Sequence, residues 1–297
     1  MKNRPVYLTL VFAIQFLNVS AQNANTPTLF KNYYYDYKIA NPAFVGSKSK
    51  HLVNTVYSGV PGSSSELVYA SYERNIKAIN SGVGGMFTYE QLGPWARKHI
   101  GVFYAYKLAF SENSGIRFGT QVFYQRRTID YSYFRLQDTI DPIYSSGTET
   151  RANVNFDLGA LYYSPVITVG ISLKNILKQD FEPFALENQK STFFTLVASR
   201  KFNIVNGLNA EPSLLFSTDF DERRIGVNGL FEIKEWILLG AGFISSGDDE
   251  GDINVNVGVN IKDWVQIITH LYSTRNQTEQ YESDTFIETM VRVTIPE

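Results

Sequence analysis

Residues 252–261 read DINVNVGVNI, with a polar residue or glycine at every even position and a β-branched apolar residue at every odd one. Successive side chains of a β-strand point to opposite faces, so Ile253, Val255, Val257, Val259 and Ile261 share one face. Asp252, Asn254, Asn256, Gly258 and Asn260 share the other. Strands in soluble sheets usually run to about five or six residues, whereas a tilted strand crossing a bilayer needs about 9 to 11. A ten-residue segment sorted this strictly favours a barrel wall with one greasy and one wet face.

The N-terminus points the same way. Lys2 and Arg4 precede the apolar run VYLTLVFAIQFL, and NVSAQ places Val19 and Ala21 ahead of Gln22, the pattern of a cleaved export signal. The expected division is a signal peptide over 1–21, an N-terminal segment over 22–50 and a barrel over 51–297. The chain has no cysteine, so it carries no lipid-modified cysteine, disulfide framework or thiolate metal site. Removing the signal takes Lys2 and Arg4 from the 27 basic residues and leaves 25 against 29 acidic, a poor balance for binding nucleic acid. The 21 Phe, 19 Tyr and 3 Trp suit the aromatic girdles of a membrane barrel.

Strand-like segments begin near His51, Ser65, Gly82, Arg97, Gly115, Asn153, Val166, Ser191, Leu208, Arg224, Trp236, Asp252, Asp263 and Ser283. They predict an all-β fold, a transmembrane antiparallel β-barrel of about 14 strands, the even number expected of bacterial single-chain barrels. NVNFDLGALY (153–162) repeats the opening alternation, as does GIRFGTQVFYQ (115–125). The alternation turns Glu66, Arg117 and Arg292 toward the lumen. With a periplasmic N-terminus, the inward connections become 74–81, 111–114, 164–165, 202–207, 234–235 and 262–263. The outward ones include 127–152, 174–190, 245–251 and 273–282. Long and short alternate in the phase a barrel requires, which puts both termini in the periplasm.

Little in the sequence points to chemistry. His51, His99 and His270 sit on three separate strands with no metal-ligand spacing. Asp248, Asp249, Glu250 and Asp252 lie in a glycine-punctuated loop that reads as a solvated acidic hairpin rather than a calcium loop. GVGG at 82–85 falls within a strand, where glycine relieves crowding or bends a wall. No nucleophile or nucleotide motif stands out, so the expectation is a non-enzyme without cofactor or metal.

Strand physics leaves one stretch unexplained: TLFKNYYYDYKIANPAFVGSKSK, residues 28–50, with Tyr33, Tyr34, Tyr35 and Tyr37 ahead of Asn41-Pro42-Ala43-Phe44 and Gly46. Pro42 biases Asn41 toward an extended conformation, and a periplasmic cap or plug seating aromatic rings against the barrel mouth is the structural expectation. IANPAFVGS (39–47) resembles the start of the PorP/SprF family of Bacteroidetes outer-membrane proteins. SGVGGMFTYEQLGP (81–94), GVFYAYKLAFSENSGIRFGTQVFY (101–124) and FDLGALYYSPVITVGISLKNIL (156–177) follow in the family's order. Two departures stand out: Lys174 precedes Asn175-Ile176 where the family usually has proline, and ETMVRVTIPE lacks a terminal aromatic residue.

The resemblance implies an outer-membrane role in type IX secretion and gliding motility, as accessory or anchor for a large secreted adhesin whose C-terminal domain it binds. The implied partners are outer-membrane lipid, that adhesin domain and type IX translocon components. Tyr33, Tyr34, Tyr35, Tyr37, Asn41, Pro42, Phe44 and Gly46 are the candidate cap or partner-contact residues, and the two longest outward loops the candidate adhesin contacts. The alternative is a barrel channel or transporter for a small or hydrophobic solute, which an open lumen would favour.

Overall fold

The computed structural model describes residues 33–48, 51–59, 65–133, 147–177, 192–220, 223–246, 251–273 and 285–295. Its strands are β1 (His51–Gly59), β2 (Ser65–Ile76), β3 (Ser81–Leu92), β4 (Trp95–Ala109), β5 (Gly115–Asp130), β6 (Thr148–Tyr163), β7 (Ile167–Lys174) and β8 (Phe193–Arg200). They continue as β9 (Phe202–Val205), β10 (Leu208–Thr218), β11 (Arg223–Ile233), β12 (Ile237–Ser246), β13 (Gly251–Ile261), β14 (Val265–Ser273) and β15 (Thr285–Thr294). All neighbours pair antiparallel, and the sheet closes because β10 meets β11 while β15 meets β1, with Leu52 opposite Thr294 and Asn54 opposite Arg292. Closure removes the free edges that an open sheet would expose.

The fourteen expected strands are present and one more is added. Residues 202–207, expected as a plain turn, contain β9, which continues the line of β8: Ser199 faces Ser213 and Phe202 faces Ala210 in the same register. The interruption lies opposite Glu211 and Pro212, and a proline supplies no N–H to the ladder. The wall strand is thus split rather than duplicated.

The opening stretch now has its explanation. Asn254 and Asn256 are 0% and 1% exposed, whereas Ile253, Val255 and Val257 are 65%, 51% and 54% exposed. The apolar face is the outside, the reverse of a soluble sandwich, and it requires a hydrocarbon surrounding. The long strand connections all lie at one end, although that end also carries short ones, so the expected alternation of long and short holds only in part. The opposite end carries tight turns such as 234–236, where Lys234 and Glu235 are both at positive φ, as the central residues of a type I′ turn need, and the Trp236 N–H donates to the Ile233 carbonyl at 3.0 Å; the chain enters β1 and leaves β15 there. The first carries the long connections 131–147, 175–192 and 274–284, together with short ones at 60–64, 93–94, 219–222 and 247–250.

Glu66 is a correction. On β2 the inward set is Leu67, Tyr69, Ser71 and Glu73, the last three buried, so Glu66 is on the outward face that it shares with Tyr72 and Arg74. The inward carboxylate of that strand is Glu73. Arg117 and Arg292 do face inward.

Candidate functional site

A closed wall whose inner face bears Asn, Gln, Ser and charged residues needs water or protein inside it, because each buried polar group demands a partner. Here the partner is residues 33–48. Two short 3₁₀ turns, Tyr37–Ile39 and Pro42–Phe44, fold the segment into a compact plug, and every residue from Tyr33 to Gly46 is buried within the barrel. Asn41 opens the second turn: extended at φ −150°, as a residue before proline prefers, it accepts the Ala43 N–H through its side-chain oxygen at 2.9 Å.

The tyrosines bond the distant wall. Tyr33 donates to the Gly226 carbonyl (3.2 Å) and accepts from the Asn228 amide (3.1 Å). The Asn256 side chain donates to the Tyr34 hydroxyl at 2.7 Å and accepts from Tyr35 at 2.9 Å. The rings also pack on one another: Tyr34 and Tyr35 lie 4.6 Å apart, and Tyr37 stacks on Phe44 at 4.9 Å. Asn254, which accepts from the Tyr34 hydroxyl at 3.5 Å, and Asn256 of the opening stretch therefore serve as a hydrogen-bonding rack for the plug, while Asn260 bonds the Glu235 carbonyl and Gln266.

At the Asn41 turn the contacts are to backbone. The Asn41 amide donates to the carbonyls of Ala160 (3.0 Å) and Ile171 (2.9 Å). Ser172 donates to the Ala40 carbonyl at 2.7 Å and Lys174 to the Ile39 carbonyl. Arg117 donates to the carbonyls of Ala43 and Val45. Wall glycines admit this approach: a Cβ on Gly159 would lie 2.0 Å from the Asn41 side-chain oxygen, and one on Gly82 only 2.1 Å from the Val45 carbonyl oxygen. Gly82 and Gly84 of GVGG, both against Val45, thus mark where the plug touches the wall. Lys174, where the resemblance leads one to expect proline, supplies a plug contact instead.

Charge is neutralised in the same place. Asp36 accepts from Lys38 (2.6 Å), Asn54 (2.9 Å) and Tyr69 (2.9 Å), and Lys38 also lies 3.5 Å from Glu73. Arg292 donates to Asn54 (2.9 Å), Gln266 (3.1 Å) and the Tyr35 carbonyl. This satisfied network holds the plug to the first and last strands at the seam that closes the barrel.

Tyr33, Tyr34, Tyr35, Tyr37, Asn41, Pro42, Phe44 and Gly46 are thus all brought together inside the lumen. Asp36, Lys38, Glu73, Asn54 and Tyr69 were not singled out from the sequence; the signal available was a charged pair embedded in the tyrosine cluster. The three histidines stay apart. His51 contacts Tyr72 at 2.7 Å, His99 packs on Phe123, and buried His270 lies 5.2 Å from the Tyr35 ring. Asp248, Asp249 and Glu250 lie outside the described residues. Beside the plug, at the tight-turn end, a cavity of about 460 Å³ is lined by Glu232, Glu235, Lys262, Trp264, Gln266 and Arg292 among others.

Against this geometry, a family model described as type IX secretion system membrane protein PorP/SprF matches residues 22–292. A search of curated proteins finds no match. Among solved structures the chain is similar to the Acinetobacter baumannii outer membrane protein Omp33, at TM-score 0.55 and 10% identity over 84% of this chain and 100% of that one. It is also similar to the P. putida toluene transporter TodX (TM-score 0.57, 7% identity, 87% and 93% covered). The CymD monoaromatic hydrocarbon channel gives TM-score 0.53 at 10% identity, with 93% and 95% covered. At such identities these likenesses establish the barrel fold alone.

Proposed function

The chain belongs to the PorP/SprF family of type IX secretion system membrane proteins, and from that premise we propose that it is a non-catalytic outer-membrane barrel that anchors a large secreted adhesin at the cell surface by holding the adhesin's C-terminal domain. On this reading residues 1–21 are removed on export and residues 22–50 serve as the plug segment. Both ends of the barrel chain face the periplasm, and the long connections face outward as the adhesin contacts. The Tyr33–Gly46 element acts as an internal strut that keeps the wall rigid beneath those loops.

The observation that carries the reading is the occupied lumen. A solute channel needs a continuous wet path, whereas Tyr33 to Gly46 are buried inside the wall and bond to β1, β2, β5, β6, β7, β11, β13 and β15. A rigid filled barrel bearing long loops is a platform, and binding specificity is commonly placed on such loops.

The test is a mild-detergent pull-down of the tagged, full-length protein from its native outer membrane, with co-purifying chains identified by mass spectrometry. A large surface adhesin or type IX translocon components are expected. Recovery of the barrel alone, from cells that display such adhesins, overturns the anchoring role and makes conductance and solute uptake the next measurements.

A further inference from the structure

Lys98 on β4 and Arg126 on β5 are directly opposite one another in the antiparallel register. Both are exposed and lie on the outward face, away from the lumen. Like charges directly opposite across two strands are destabilising. Neither has a carboxylate partner among the described residues; Lys98 makes only a cation–π contact, 5.6 Å from the Tyr89 ring centroid on β3. The nearest outward acids in the register are Glu66, opposite Gln91 on β3, and Asp130, four residues along β5 from Arg126.

The level of this pair on the barrel is informative. One row toward the tight-turn end, Phe87, Ile100, Tyr124 and Val154 are cross-strand neighbours and 39%, 54%, 45% and 52% exposed. One row the other way the outward face turns to Thr128 and Thr150, whose hydroxyls lie 3.2 Å apart. Lys98 and Arg126 therefore sit where the apolar belt gives way to polar surface, at the end that carries the long connections. Lysine and arginine stems lie well on apolar surface while their heads reach the headgroup layer. A guanidinium beside an ammonium matches a phosphate, the first as a fork and the second as a point charge.

We propose that Lys98 and Arg126 form a binding site for the phosphate of an anionic membrane lipid in the leaflet at the long-connection end, with its acyl chains lying on the Phe87, Ile100, Tyr124 and Val154 row. The bound phosphate relieves the repulsion between the two cations, and the apolar row beneath selects a lipid over a free anion. Tyr89 holds the Lys98 head at the rim.

The test is native mass spectrometry of the whole protein in detergent, titrated with diphosphoryl lipid A or with the same lipid stripped of its phosphates. The expected result is retention of the phosphorylated lipid by the wild type and a loss of about tenfold or more in the Lys98→Gln/Arg126→Gln double variant. Binding of the stripped lipid should be weak and equal in both. Arg126→Lys, which keeps the charge and loses the fork, should fall between them. Because both side chains are exposed, each single variant also serves if the double variant folds poorly. Equal retention of the phosphorylated lipid by wild type and variants overturns the site. Displacement of the lipid by excess inorganic phosphate, with phosphate binding alone to the wild type and not to the variant, overturns the lipid assignment in favour of a free-anion site.

Discussion

Replacing Asn41 by alanine tests how the lumen is filled. Asn41 is fully buried and makes three hydrogen bonds: two donated to the carbonyls of Ala160 and Ile171 and one accepted from Ala43. At roughly 1 kcal/mol net for each, Asn41→Ala costs the seated plug about 3 kcal/mol. That raises the unseated population on the order of 100-fold. The chain has no native cysteine, so a Val45→Cys substitution at a fully buried plug position introduces a single reporter thiol. A membrane-impermeant maleimide should label the thiol slowly in the Val45→Cys parent and up to about 100-fold faster once Asn41→Ala is added, where labelling follows local opening. Equal labelling rates in two barrels that both run as folded, heat-modifiable species would refute the claim that Asn41 fastens the plug.

Gly159→Val should unseat the plug by a different route, because its Cβ alone would lie 2.0 Å from the Asn41 oxygen; planar-bilayer recording should find conductance in the variant and little in the wild type. Asp36→Ala removes the acceptor shared by Lys38, Asn54 and Tyr69 and should lower stability by about 3–5 kcal/mol as a broken buried pair, read from urea unfolding in detergent micelles. An unchanged midpoint there would mean that Glu73, 3.5 Å from Lys38, suffices alone. Val257→Lys places a charge on the lipid face and should cost about 2–4 kcal/mol near the bilayer midplane, whereas lumen-facing Asn260→Lys should be far milder; comparing their folded yields in liposomes checks the inside–outside assignment.

The wall was legible in the sequence because a strand's side-chain period of two is a local property. Which residues share a face can be read from ten consecutive positions, as in 252–261, without knowing the neighbours. The fourteen wall strands follow from the same local rule. Glu66 shows its limit: β2 begins at Ser65 as expected, but a period of two says only which residues share a face, and where both faces mix apolar and polar residues, as in SELVYASYERNI, it does not say which face is the inner one. Pro212 shows another, since the residue that interrupts the ladder between β8 and β9 lies on the strand opposite and not in the strand that breaks.

What fills the barrel is decided only by tertiary structure. Tyr33 finds Asn228, Tyr35 finds Asn256 and Arg292 finds Asn54, across sequence separations that no local pattern encodes. The tyrosine cluster and the Asn-Pro turn stand out in the sequence, but they are compatible with a cap at the mouth or a plug within. Burial of hydroxyls and amides is favourable only where each finds a partner, and those partners exist in one place only after the wall has closed. The sequence by itself determined that this chain makes a barrel with a wet inside; closure of the barrel decided that the wet inside is filled by its own N-terminal segment.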